Sequence, residues 1–188
     1  SAEGLKKSFD SVKGWIAGAF SVSAIVSFGK SIFETAGKIV DASERMKIMP
    51  ETFQTIEVVA KRTGLEMGTF EGVLMRMKRA AADASTDNKK LAGSFKTMGI
   101  DLAEFSKLSE DKQFEKLAEA LYKNRDSAAA TSAAYDVLGR DAGTIMGVMQ
   151  TLGKDGVEKL KQQFIDMGLV IKNDTIAALD ETGDSLEE

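Results

Sequence analysis

Apolar residues recur at three- and four-residue spacing along most of the 188-residue chain, and nowhere do they alternate for long with polar ones. The first spacing marks a helix with one buried face; the second would mark a half-buried strand. Leu5, Phe9 and Val12 predict a short leader helix over 5–13. The next sixteen residues, Gly14 to Gly29, carry no charge. Ile32, Phe33, Ala36, Ile39 and Val40 then form one face of an amphipathic segment reaching residue 47. Pro50 reads as a first-turn residue, with Glu51 beside it favouring the positive helix end. Phe53, Ile56, Val59 and Ala60 continue that helix, and Gly64 closes it as the residue beyond the cap. Phe70, Val73, Leu74, Met77 and Ala81 give a further stripe over 69–84, and the polar stretch 83–90 reads as a loop. Leu91, Phe95 and Met98 make a short helix stopped by Gly99.

Ser109 is placed to cap the following helix, whose buried stripe is Phe114, Leu117, Ala118 and Leu121. Glu110 and Asp111 fall in its first turn, where the helix dipole and solvent account for them. An Ala-rich helix spans 128–138 and ends at Gly139. Gly139, Gly143, Gly147, Gly153 and Gly156 then punctuate what reads as a loose region. Val157, Leu160, Phe164 and Met167 define the last clear helix, which ends at Gly168, and an acidic tail begins at Asn173. The expected fold class is all-α: a multi-helix module of seven to nine short to medium helices with Gly-terminated turns. Its expected divisions are a leader (1–13), an apolar leading helix with an amphipathic extension (14–47), a helical module (48–172) and an acidic C-terminal helix (173–188). Ser1-Ala2 without an initiator Met reads as a cloning remnant on a fragment.

Composition narrows the chemistry. The single Pro suits helix, whereas 17 Gly need special placement because each costs roughly 1 kcal/mol inside a helix. With no Cys and no His, disulfides, thiolate zinc sites, Cys nucleophiles and a Ser-His-Asp triad are excluded. A formal charge of −4 gives no overall electrostatic case for nucleic acid. Ala24 to Ser31 loosely fits a phosphate-loop pattern, but its loop would be the stiff, apolar Ile-Val-Ser-Phe, with no parallel sheet around it. Arg76, Lys78, Arg79, Lys89 and Lys90 form the one basic cluster and read as a solvated face. The nine Met read mainly as core filler rather than an adaptable groove.

Two sets of small residues carry close-packing spacing: Gly14 with Gly18, and Gly139 with Gly143 and Gly147. The first lies in the uncharged run, whose Gly14, Trp15, Gly18, Phe20, Ile25 and Phe28 are candidates for helix association or membrane contact. The run is short of the roughly 20 residues a spanning helix needs.

Several short phrases also occur in a telling order: Gly18 to Phe33; Ile48-Met49-Pro50-Glu51-Thr52-Phe53-Gln54, then Ala60 and Thr63-Gly64; Phe70 to Ala84; Phe95-Lys96-Thr97-Met98-Gly99-Ile100; Leu138-Gly139-Arg140-Asp141-Ala142-Gly143; Met167-Gly168-Leu169-Val170-Ile171; and Asp184-Ser185-Leu186. Together they resemble the N-terminal region of tape measure proteins of long-tailed phages and prophages, over roughly residues 14–186. Leu138 stands for the usual Phe, Gly147 for a common Pro, and Met49 for a capping Ser or Thr. The resemblance implies a non-enzymatic helical ruler and scaffold without cofactors, around which tail tube subunits polymerise. It implies contact with tail tube protein, tail tip and baseplate proteins, tail assembly chaperones and other copies of itself, with a host membrane as a further candidate and no nucleic acid. It places the protein in the virion tail, and in host cytoplasm during assembly. A helix rises about 1.5 Å per residue, so residue count converts directly to length. The frequent Gly stops argue that this segment is a helical module rather than one rod.

Overall fold

The computed structural model describes the backbone of residues 22–187 and the side chains of residues 34–181. The protein is all-α, as the apolar spacing predicts. Among the described residues there are ten helices and no strand: α1 (Val22–Met46), α2 (Pro50–Thr63), α3 (Met67–Thr86), α4 (Lys89–Thr97), α5 (Leu102–Phe105), α6 (Glu110–Lys123), α7 (Ala128–Leu138), α8 (Ala142–Asp155), α9 (Val157–Asp166) and α10 (Asn173–Glu187). The described residues fall into two compact units, one within Ser1–Ala42 and Lys172–Glu188, the other Ser43–Ile171.

In the first unit, α1 and α10 are neighbours: a Cβ placed on Gly37 would lie 3.4 Å from Asp180 Oδ1. Ala36, Ile39 and Ile176 are buried.

The second unit is built on the stripes read from sequence. Phe70, Val73, Leu74 and Met77 of α3, Phe114 and Leu117 of α6, Leu138 of α7, and Ile145 and Met149 of α8 surround one small void of about 10 Å³. Phe70 and Phe114 meet edge to face at 5.4 Å, and Phe95 and Phe105 pack at the same centroid distance. Burying each such side chain contributes about 1.5–3 kcal/mol, so this cluster outweighs any surface contact in the unit.

Glycine stops three helices in the same way. Gly64, Gly99 and Gly168 have φ of 70°, 76° and 71°, where an L side chain is strained. In each, the next residue's N–H reaches back to close the helix: Leu65 to Ala60, Ile100 to Phe95 and Leu169 to Phe164, at 2.8–3.0 Å. Pro50 occupies the first turn of α2 as expected. Ser109 stands at the cap of α6, although its side chain makes no capping bond.

Two expectations are corrected, and one short helix is added. The loop expected over 83–90 shrinks to Asp87-Asn88, because α3 buries Ala84 and runs to Thr86, and Asn88 then caps α4 by accepting the Leu91 N–H at 3.1 Å. A short helix, α5, was not foreseen; Asp101 starts it by accepting the N–H groups of Ala103 and Glu104 at 2.9 and 3.0 Å. The region expected to be loose is the regular helix α8, with Gly143, Gly147 and Gly153 inside it.

The glycines of α8 also redistribute the expected packing role. Gly147 has nothing within 4 Å of a notional Cβ, so no neighbouring element closes on it there. Gly143 lies under the Tyr135 hydroxyl, 2.5 Å from that position. Gly153 is the close crossing point: a Cβ there would collide with the carbonyl oxygen of Ala118 on α6 and approach Tyr122 Cβ at 2.9 Å. Because the obstacle is backbone, it cannot turn aside. Gly153→Ala is therefore expected to cost about 2–3 kcal/mol of stability, while Gly147→Ala gains up to about 1 kcal/mol from helix propensity. Urea unfolding of both variants against the parent checks the pair.

Candidate functional site

The residues of the family-like phrases do not converge on one site. Pro50, Gly64, Gly99 and Gly168 sit at helix termini. Leu138 is fully buried. Gly139, at φ 79°, lies beneath Arg76, whose Nη1 is 3.0 Å from a notional Cβ. That guanidinium continues to Asp141 Oδ2 at 2.6 Å, so it straps α3 to the α7–α8 joint. Arg140 is exposed. Asp184 lies in α10 and Ile25 and Phe28 in α1, with side chains outside the described residues, as are Gly14, Trp15, Gly18 and Phe20 altogether. Among the described residues no helix is long and apolar enough to cross a membrane.

Two constellations in the Ser43–Ile171 unit stand out. The first is an open cleft of about 590 Å³ between α5–α6 and the α8–α9 junction. Phe105, Leu108, Leu152 and Val157 give it apolar surface, and its charged lining is mixed. Lys112 Nζ bonds both oxygens of Glu115 at 2.8 and 2.9 Å and reaches Glu158 at 3.4 Å across the cleft. Lys161 holds Glu158 at 2.7 Å, and Lys123 holds Glu119 at 2.6 Å. The hydrogen bond from Lys161 keeps the Glu158 carboxyl below its ordinary range, and that from Lys123 does the same for Glu119. The bond to Glu115 raises Lys112. These hydrogen bonds favour the charged forms of all three groups. Among the described residues no group of three or more acidic side chains is arranged to hold a metal ion.

The second constellation surrounds the elbow between α1 and α2. Asp111 accepts the Met49 N–H through both oxygens, at 3.1 and 3.2 Å. The bond serves the cap position of α2, where Met49 has no capping side chain of its own. Lys78 donates to the Met46 carbonyl at 2.8 Å and lies 3.7 Å from Glu110. Burial pushes its ammonium below the ordinary lysine range, against the opposing pull of Glu110. Gln54, 5% exposed, donates to the Ile171 carbonyl and accepts the Ile171 N–H, both at 2.9 Å.

This elbow corrects the sequence reading at three residues. Lys78 leaves the solvated basic face and points at a helix end. Glu110 and Asp111 do more than satisfy their own dipole, since they serve residues more than thirty positions away in the chain. Gln54 was visible only as part of a phrase; a polar residue beside Phe53 on a buried helix face was the available signal. The methionines divide: Met46, Met77, Met98 and Met149 are core, whereas Met49, Met75 and Met167 are exposed.

Comparison with protein families, characterised proteins and solved structures finds no match.

The cleft charges make a pH prediction. Glu158 has a folded pKa depressed from 4.5, so its contribution is present above pH 4.5 and is lost as pH falls through the lower folded value. Its side chain is 56% exposed, so screening keeps that contribution small. Glu158→Gln is expected to lower stability by less than about 1 kcal/mol at pH 7. The difference disappears below the depressed pKa, as urea unfolding at pH 7 and in the acid range will report.

Proposed function

We propose that this chain is a non-enzymatic segment of a phage tail tape measure protein, acting by shape and contact while tail tube subunits assemble around the larger polypeptide. The observation that carries this reading is the ordered series of short phrases from Gly18 to Leu186. Their physical character supports it. The phrases around Gly64, Gly99, Leu138-Gly139 and Gly168 fall at helix ends, where glycine conformation and caps set how rods are joined. What they specify is a way of stacking helices, as a scaffold segment requires.

The partners follow from the resemblance: tail tube protein, tip and baseplate proteins, assembly chaperones, and further copies of the chain. In-frame deletion of the codons for residues 43–171 from the source phage or prophage tests the reading. Electron microscopy of induced lysates should show tails missing or of altered length. Tails of unchanged number and length would overturn it.

A membrane-active role through residues 14–33, in genome delivery or pore formation, is the second reading, favoured by the uncharged run Gly14–Gly29 within them. Liposome flotation decides it: binding lost on Ile25→Asp supports membrane contact, and no flotation of the parent chain sinks it.

A further inference from the structure

We propose that the first turn of α2 is a collar that fastens both ends of the Ser43–Ile171 unit and opens as one latch, releasing the arriving and departing chain while the α3–α8 core stays folded.

The arriving chain is held at two points. Lys78 of α3 grips the last carbonyl of α1, at Met46, and Asp111 of α6 grips the N–H of Met49. Between them Lys47 has φ 54°, the one non-glycine residue with positive φ among those described. Such backbone persists only where its surroundings enforce it. The departing chain is held at Ile171, where the Gln54 side-chain amide imitates a strand partner by bonding both N–H and carbonyl. The two attachments share a residue. Gln54 Nε2 also donates to the Pro50 carbonyl at 3.2 Å, so Pro50 and Ile171 lie within the span of one amide group. Displacing Met49 moves Pro50, and moving Pro50 withdraws support from Gln54.

The fastenings are polar and in part solvent-exposed, with Met49 itself 48% exposed. The core beneath is apolar and rests on contacts that the collar does not touch: Phe70 with Phe114, and Gly153 against Ala118. The Met49–Asp111 bonds are solvent-exposed, whereas the Gln54–Ile171 and Lys78–Met46 bonds are part-buried. Such polar bonds at the margin of a unit open locally, whereas the core opens only with the whole unit.

Amide hydrogen exchange followed by NMR on the full chain tests the coupling, since Met49 and Ile171 N–H report the two ends directly. Asp111→Ala is expected to speed exchange at Met49 roughly tenfold to a hundredfold. It should also speed Ile171, which Asp111 does not contact. Gln54→Ala should do the reverse, accelerating Met49 as well as Ile171. Leu117 and Met149 in the core should keep the parent rate. If each variant accelerates only its own amide, or if Leu117 and Met149 accelerate equally, the latch is overturned. The parent chain in low urea gives a measurement free of mutation: Met49 and Ile171 should share one opening equilibrium that lies below that of Leu117. Separate equilibria would also overturn the proposal.

Discussion

Helices α6 and α8 cross so closely that Gly153 rests on the Ala118 carbonyl, and the second unit is organised around that contact. Close approach lets Leu117 on one helix and Ile145 and Met149 on the other share a single apolar cluster with Phe70, Phe114 and Leu138. Any side chain at 153 would push the backbones apart and open space that neighbouring atoms could not fill. The energetic consequence exceeds that of the surface ion pairs, because dispersion and burial fall off over fractions of an ångström while solvent screens exposed charges.

Polar groups in this unit mainly set direction. Arg76 straps the α7–α8 joint through Asp141, and its long side chain lies over Gly139, where a Cβ would meet it. Lys90 and Ser94 hold Asp136, bringing α4 to α7, and the Lys90 hydrogen bond keeps that carboxyl below its ordinary range. Asp111, Lys78 and Gln54 gather the two ends of the unit. Each bond is modest by itself, but each fixes where a helix begins or how the chain leaves it. Apolar stripes hold the rods together, and polar joints orient them.

The legible part of the sequence was the part governed by local rules. Stripes such as Phe70-Val73-Leu74-Met77 and Phe114-Leu117-Ala118-Leu121 identify buried faces because helical spacing is a property of the backbone alone. Gly64, Gly99 and Gly168 declare helix ends because a left-handed residue is costly for any other side chain. The elbow was not legible, because a Lys and two acids near helix starts look like ordinary solvated charges until the fold brings residue 49 to residue 111.

By itself, then, the amino-acid order determined the all-α class, most helix boundaries and the core-facing stripes, since all of these follow from interactions within a few residues. Tertiary structure alone decided that the glycine-rich stretch after Gly139 is a regular helix, because Gly153 gains from close approach to Ala118 what it loses in propensity. It alone decided that Gln54 faces Ile171 and that Asp111 caps a distant helix. Those pairings span 117 and 62 residues, and no local preference encodes a partner so far along the chain.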